Sequence, residues 1–447
     1  MKPGRSQITE PQGELFRTEL SRIIDPGHEL ARLTAAVDWD ALDEEFGQHF
    51  CASVGRPAIP TRLMVALHWL KFENDLSDEE VVRMWKQNVY WQWLSGMKWF
   101  EHEDPVDPTS MTRWRKRVGE AGAETLLAET LKAGLKVKAI KPSQLKRVNV
   151  DTTVQEKNIR HPTDTRLYDR ARERLVKEAA KHGVKLRQTY ARMAKRAIFM
   201  QSRYAHTRKA KMAAGETRKL RTWLGRVVRE IERKVPRPWT KLADLLSIAR
   251  RIHEQGKGGK GRIYSVHEPH VECIAKGKAG KKWEFGCKTS FVATSKGGWI
   301  LGAKTFHGNP YDARTLPAAL EQARAIARRL PAEAYTDMGY RKHAYQGQTE
   351  VTVDKRSRGR TPRAKWRWMK RRSAIEPTIG HLKEHRRLNR NRLHGVEGDL
   401  HNPLYSACGM NIAKILKHLR TLCALILRCL RTLLCPLRPP CPTLLPA

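Results

Sequence analysis

The chain has 447 residues, with 86 Lys and Arg against 46 Asp and Glu, a formal net charge of +40 at pH 7. An apolar share of 40%, including 13 Trp, supports a sizeable buried core and excludes wholesale disorder. A cationic field of this size calls for a polyanionic partner rather than a neutral small-molecule substrate. No charge-free apolar run of about 18 residues is present, and the first residues lack a signal-type apolar core, so no membrane partner is expected. The eight Cys form no CxxC pair. A zinc site therefore has little basis, and a reduced, cytoplasmic setting follows.

The charge is unevenly placed. Residues 1–100 hold 11 Lys/Arg and 15 Asp/Glu, whereas residues 157–260 hold 30 and 9, and residues 354–392 hold 15 and 3. A solvated helix face carries mixed signs. The second and third stretches fit a nucleic-acid surface better.

In chain order, the first 140 residues read as helical. Pro60 precedes TRLMVALHWLKF, with Leu63, Ala66, Leu67 and Leu70 on one face. Ser77 and Glu80 have capping-box spacing before VVRMWKQNVYWQWL, which Gly96 can end. Asp107-Pro108 then opens a basic helix with Arg113, Arg115 and Arg117, suited either to reading a DNA groove or to a dimerisation bundle. KRVNVDTTV (146–154) alternates as a strand with Asp151 near its end. An insertion over 157–280 is mostly basic helix. Leu220, Leu224, Val227, Ile231 and Val235 form an apolar face there, with Arg218, Lys219, Arg221, Arg226 and Arg229 around it. GKGGKG (257–262) lacks the spacing of a phosphate-cradling loop. WEFGCKTSFVAT and WILGAKTF flank Gly297-Gly298 as a hairpin. A helix is predicted over 316–330, then a short strand ending at Asp337, then a basic helix over 371–388 holding Glu376. The last residues, 419–447, are a low-complexity Leu, Cys, Arg and Pro tail whose six-residue Cys period fits no metal site.

Three acids stand out. Cutting a phosphodiester needs charge stabilisation, and two divalent ions ~3.5–4 Å apart can clamp the attacking and leaving oxygens. Mg²⁺ prefers carboxylate oxygens. Asp151 and Asp337 end two predicted strands, and Glu376 lies in a cationic helix 39 residues further on. Acids at strand ends are most often solvated or capping, and Ser373 with Glu376 has capping-box spacing. Asp312 follows the predicted hairpin and could approach these acids, but capping the helix that follows explains it more simply. His267-Glu268-Pro269-His270 has the wrong spacing for a metal motif and reads as structural. Trp366 and Trp368, among Lys365, Arg367 and Lys370, suit either base stacking or core packing.

The stretches VNVDTTVQEKNIRHPTD (148–164), HGNPYDARTL (307–316), AYTDMGYR (334–341) and RRSAIEPTIGHLKEH (371–385) carry a resemblance to DDE transposases of the bacterial insertion-sequence-five type. Arg372, Glu376 and Lys383 match the family signature R-x3-E-x6-K, while Met369 and Met338 depart from the pattern around it. The resemblance implies a mixed α+β and α/β chain. A helical domain over 1–140, for end binding or dimerisation, precedes a ribonuclease-H-like core over 141–156 and 281–418, interrupted by the insertion. It implies that Asp151, Asp337 and Glu376 hold two Mg²⁺ or Mn²⁺ ions, with Arg371, Arg372 and Lys383 against DNA. Expected partners are transposon-end DNA, target DNA and further copies of the chain, as a homodimer or larger synaptic complex on the nucleoid. The alternative is an inactive DNA-binding repressor derived from a transposase, which has no need of all three acids.

Overall fold

The computed structural model describes residues 18–51, 57–256, 258–259, 261–275, 282–354 and 363–434, with backbone only at 363–364 and 422–434. Seven helices come first: α1 (Leu20–Ile23), α2 (Glu29–Ala36), α3 (Trp39–Gly47), α4 (Thr61–Glu73), α5 (Asp78–Trp85), α6 (Val89–Leu94) and α7 (Pro108–Lys136). The Ser77–Glu80 capping box opens α5 with both reciprocal bonds present. The single helix predicted over 81–94 is instead two. Asn88 accepts from the backbone N–H groups of Tyr90 and Trp91, starting α6 afresh. α4 is buried all round from Leu63 to Phe72, His68 and Lys71 included, rather than on one face. The basic helix opened by Pro108 runs past Gly119, which kinks it at φ 65°, and continues to Lys136.

β1 (Arg147–Glu156) leads into the insertion, where α8 (Asp164–Lys181), α9 (Ala191–His206), α10 (Ala210–Lys234) and α11 (Thr240–Glu254) pack on their own apolar cluster. Leu220, Leu224, Val227 and Ile231 are buried there, as their spacing predicts. β2 (Glu272–Ala275), β3 (Trp283–Thr294) and β4 (Ile300–Phe306) follow, and β3 and β4 pair antiparallel. Gly297 and Gly298 take φ of 83° and 60° in their turn, a region glycine enters without steric cost. Then come α12 (Asp312–Ala327), β5 (Glu333–Thr336), β6 (Glu350–Val353), α13 (Arg363–Arg372), α14 (Ile375–His385) and α15 (Gly395–Leu434). The helix predicted over 371–388 breaks at Ser373-Ala374, and α15 carries the chain well into the tail region. The remaining tail, 435–447, lies outside the described residues, as do Lys257 and Lys260 of the cationic turn.

The sheet runs β2-β3-β1-β5-β6, with β4 also on β3. β1 is antiparallel to β3 and parallel to β5, and β5 is parallel to β6, so the sheet is mixed. One apolar cluster joins the leading helices to the sheet and to α15: Trp69, Phe72 and Leu127 share it with Val150, Val292, Leu404 and Ile415. Gly409 lets α15 approach α4 closely, since a Cβ there would fall 2.5 Å from the Phe72 carbonyl oxygen.

Four polar side chains meet at the edge of this cluster, with His68, Lys71 and Arg115 buried and Asp78 14% exposed. Asp78 accepts from Lys71 Nζ at 2.7 Å and from both terminal nitrogens of Arg115, at 2.9 and 2.6 Å. Burial would raise the Asp78 carboxyl, yet the two cations hold it well below its ordinary value. Burial, with Arg115 beside it, brings the Lys71 ammonium down to about 8. The same two causes drive His68 down to about 3, so its imidazole is neutral.

Candidate active site

The parallel register of β1 and β5 sets Val148 opposite Ala334 and Asn149 opposite Tyr335. The pairing ends there, two residues before Asp151 on β1 and two before Asp337, which follows β5. β5 ends at Thr336, and the Asp337 carboxylate turns back to accept the Gly339 N–H at 3.0 Å. Asp151 accepts the N–H of the next residue, Thr152, at 2.7 Å. Burial pushes the Asp337 carboxyl up; Arg372 opposes this, while Asp312 and Asp354 add to it. Several like charges thus face one another where two strands part.

Glu376 comes from α14, which packs against β1. The junction is tied by Asn149, whose amide donates to the Arg371 carbonyl at 3.0 Å and accepts from Ser295 Oγ at 2.7 Å. Glu376 is not a cap: the Ser373 hydroxyl donates to the Lys370 carbonyl, and no side chain caps α14. Instead the Glu376 side chain is 60% exposed and lies 3.6 Å from Arg372 Nη2. Arg372 therefore stands between Asp337 and Glu376. Lys383, two turns along α14 from Glu376, is half-buried on the same side.

Among the described residues, no three His, Cys, Asp or Glu side chains stand close enough to hold one metal ion. The donor types nonetheless fit a hard divalent cation, being carboxylates only. Arg372 and Lys288 now supply the positive charge beside these acids.

Asp312 departs from its sequence reading. It is the first residue of α12, but its carboxylate does not cap. Oδ1 accepts from Thr152 Oγ1 at 2.8 Å and from Lys288 Nζ at 2.9 Å. A Cβ built on Gly339 would sit 3.0 Å from Asp312 Oδ2 and 3.1 Å from Asp337 Oδ1, so both carboxylates close over that glycine. The sequence places Asp312 within reach of the site but favours capping, because an acid in a first helical turn has an ordinary explanation.

Of the expected DNA contacts, Arg115 is overturned. It is 3% exposed, and its guanidinium is bound to Asp78 and Thr112 in the core. Arg113 and Arg117 are exposed, the latter over the Phe50 ring at 5.0 Å. Arg371 is exposed beside the Asn149 junction. On the insertion Arg218, Lys219, Arg226 and Arg229 all face solvent, whereas the equally exposed Arg221 donates to the His253 carbonyl and ties α10 to α11. Replacing the first four with Gln should flatten the salt dependence of DNA affinity, each lost phosphate contact removing about 0.9 from the log–log slope. A slope equal to the parent's in a salt titration would make α10 a plain solvated face. Trp368 is half-buried between Arg147 and Lys296, at 4.7 and 5.5 Å from its ring centroid, so packing accounts for it.

Glu268 and His270 are structural, as their spacing suggests. Lys157 Nζ lies 2.6 Å from Asp399 Oδ1 and 3.5 Å from Glu268 Oε2, and His270 Nε2 lies 3.1 and 3.3 Å from the same two carboxylates. This buried knot joins the end of β1 to the exit of the insertion and the start of α15.

Residues 18–117 match the family profile described as Transposase domain (DUF772), and residues 251–401 match the one described as Transposase DDE domain. The second span holds Asp312, Asp337 and Glu376; Asp151 precedes it. A protein of Rhizobium meliloti described as uncharacterized protein ORF8 in nfe locus is 51% identical over 208 residues, 46% of this chain and 99% of the relative. No solved structure matches the chain. Among the described residues no helix is long and apolar enough to cross a membrane. Both profile matches agree: the chain belongs to the DDE transposases.

Proposed function

We propose that the protein binds the ends of an insertion sequence of the insertion-sequence-five type, hydrolyses a phosphodiester there, and joins the freed 3′-OH to target DNA. The observation that supports this reading is Arg372, which is paired with Glu376 and acts on the Asp337 carboxyl, beside a β1–β5 pairing that ends two residues before each aspartate. The strand order supports a ribonuclease-H-like core.

Asp151, Asp337 and Glu376 are the residues that would hold two Mg²⁺ or Mn²⁺ ions. Bound there, the ions would supply the charge that activates water and stabilises the leaving oxygen. Arg372, now beside Glu376, is placed to turn to a DNA phosphate once the acids are neutralised. The exposed cations of the insertion and of α13 and α14 would carry the backbone to the acids, a role that fixes position without choosing sequence. Two ends cut together imply a dimer or larger complex on DNA, at the nucleoid.

The test is cleavage of duplexes carrying the element's own ends by the full-length chain. Cleavage should require Mg²⁺ or Mn²⁺ and stop with a chelator. A chain that binds these duplexes yet leaves them uncut under every divalent ion would be the repressor.

A further inference from the structure

We infer that Asp312 is a positioning residue of this site, fixing Asp151 through Thr152 while Lys288 neutralises it. The inference rests on the metal-site reading above. The linkage is continuous. Asp312 Oδ1 accepts the Thr152 hydroxyl at 2.8 Å, and the Thr152 N–H is donated to Asp151 Oδ1 at 2.7 Å. The other oxygen, Oδ2, faces the Gly339 turn that also holds Asp337. One carboxylate, in the first turn of α12, is therefore tied to Asp151 through Thr152 and borders the turn that holds Asp337.

An extra acid at this place would be repelled by Asp337 and Asp354 unless it carried its own counter-charge. Lys288 provides it. Its ammonium donates to Asp312 Oδ1 at 2.9 Å and to the Pro310 carbonyl at 2.7 Å, and its side chain is only 13% exposed. Lys288 lies on β3, which pairs with β1, so the counter-charge is fixed by the sheet and not by a mobile surface side chain. Gly339 completes the arrangement, because any Cβ there would press on both carboxylates. Groups that orient a metal's ligands typically change metal affinity or activity about 10–100-fold when lost.

The experiment uses the full-length protein and two readouts: Mn²⁺ binding without DNA, followed by electron paramagnetic resonance, and the Mg²⁺ concentration giving half-maximal cleavage. Thr152→Val deletes the hydroxyl at constant shape, Thr152→Ser restores it, and Asp312→Asn removes the charge. Thr152→Val and Asp312→Asn should shift both midpoints upward by about 10–100-fold. Thr152→Ser should keep the parent values, which a purely packing role for the threonine methyl would not predict. Mn²⁺ binding abolished by Asp337→Asn but unchanged in Thr152→Val would overturn the inference alone. Mn²⁺ binding that survives Asp337→Asn would overturn the metal-site reading and this inference with it.

Discussion

Exchanging Asp337 for Asn should lower phosphodiester cleavage about a thousandfold, since losing ~4 kcal/mol of transition-state charge stabilisation has that effect. The substitution keeps shape and volume and removes the charge that would hold a divalent ion. Affinity for DNA should stay near the parent value, because it resides in the Lys and Arg contacts to phosphates. Removing a carboxylate from a cationic surface would, if anything, tighten it. Asp151→Asn should behave alike, as should Glu376→Gln, although Glu376 is now paired with Arg372 and largely exposed. Single-turnover cleavage and a gel-shift titration on the same duplex separate the two quantities. Parental cleavage by Glu376→Gln would hand the third position to another acid, Glu384 first, and reduce Glu376 to an ion-pair partner of Arg372.

The largest expected loss of stability lies elsewhere, in the polar cluster at the start of α5. Asp78→Asn would leave Lys71 and Arg115 facing each other without a counter-charge, at a cost of about 3–5 kcal/mol. Arg115→Met should cost less, because Asp78 keeps Lys71 as a partner. Adding Lys71→Met to Asp78→Asn should recover part of the loss, since only one buried cation then remains. Urea unfolding followed by Trp fluorescence reads all three. A loss under ~1 kcal/mol for Asp78→Asn would place the pair with ordinary surface salt bridges.

Arg115 also shows what periodicity reveals and what it hides. Met111, Trp114 and Val118 are buried, and Arg115 lies four residues after the first and three before the last, squarely on their face. Its position was legible; residue type suggested a groove reader instead. Asp151 and Asp337 were picked out as the ends of predicted strands, but β1 runs on to Glu156 and sets Asp151 at mid-strand, while Glu376, on a helix, gave no such pattern and came from the family resemblance. Asp312 was visible as an acid able to approach the site, but its ordinary place in a first turn favoured capping. Its partners, Thr152 and Lys288, lie 160 and 24 residues away, and such pairing is set by tertiary structure alone. β6, only EVTV, is too short for alternation to be distinctive. The break between α5 and α6 was readable in Asn88, a preferred cap residue.

The seam between α4 and α15 has a bearing on how the chain is made. α4 is buried on every side from Leu63 to Phe72, and the helix that covers part of it begins at Gly395, 322 residues after α4 ends at Glu73. At ~5–20 residues per second, a ribosome takes on the order of 15–60 s to reach that helix. Throughout that interval Phe72 and its neighbours have no native cover from α15. The leading helices therefore cannot finish folding as they emerge. They must wait, shielded by transient contacts or by a chaperone, until the other end of the chain arrives to close over them.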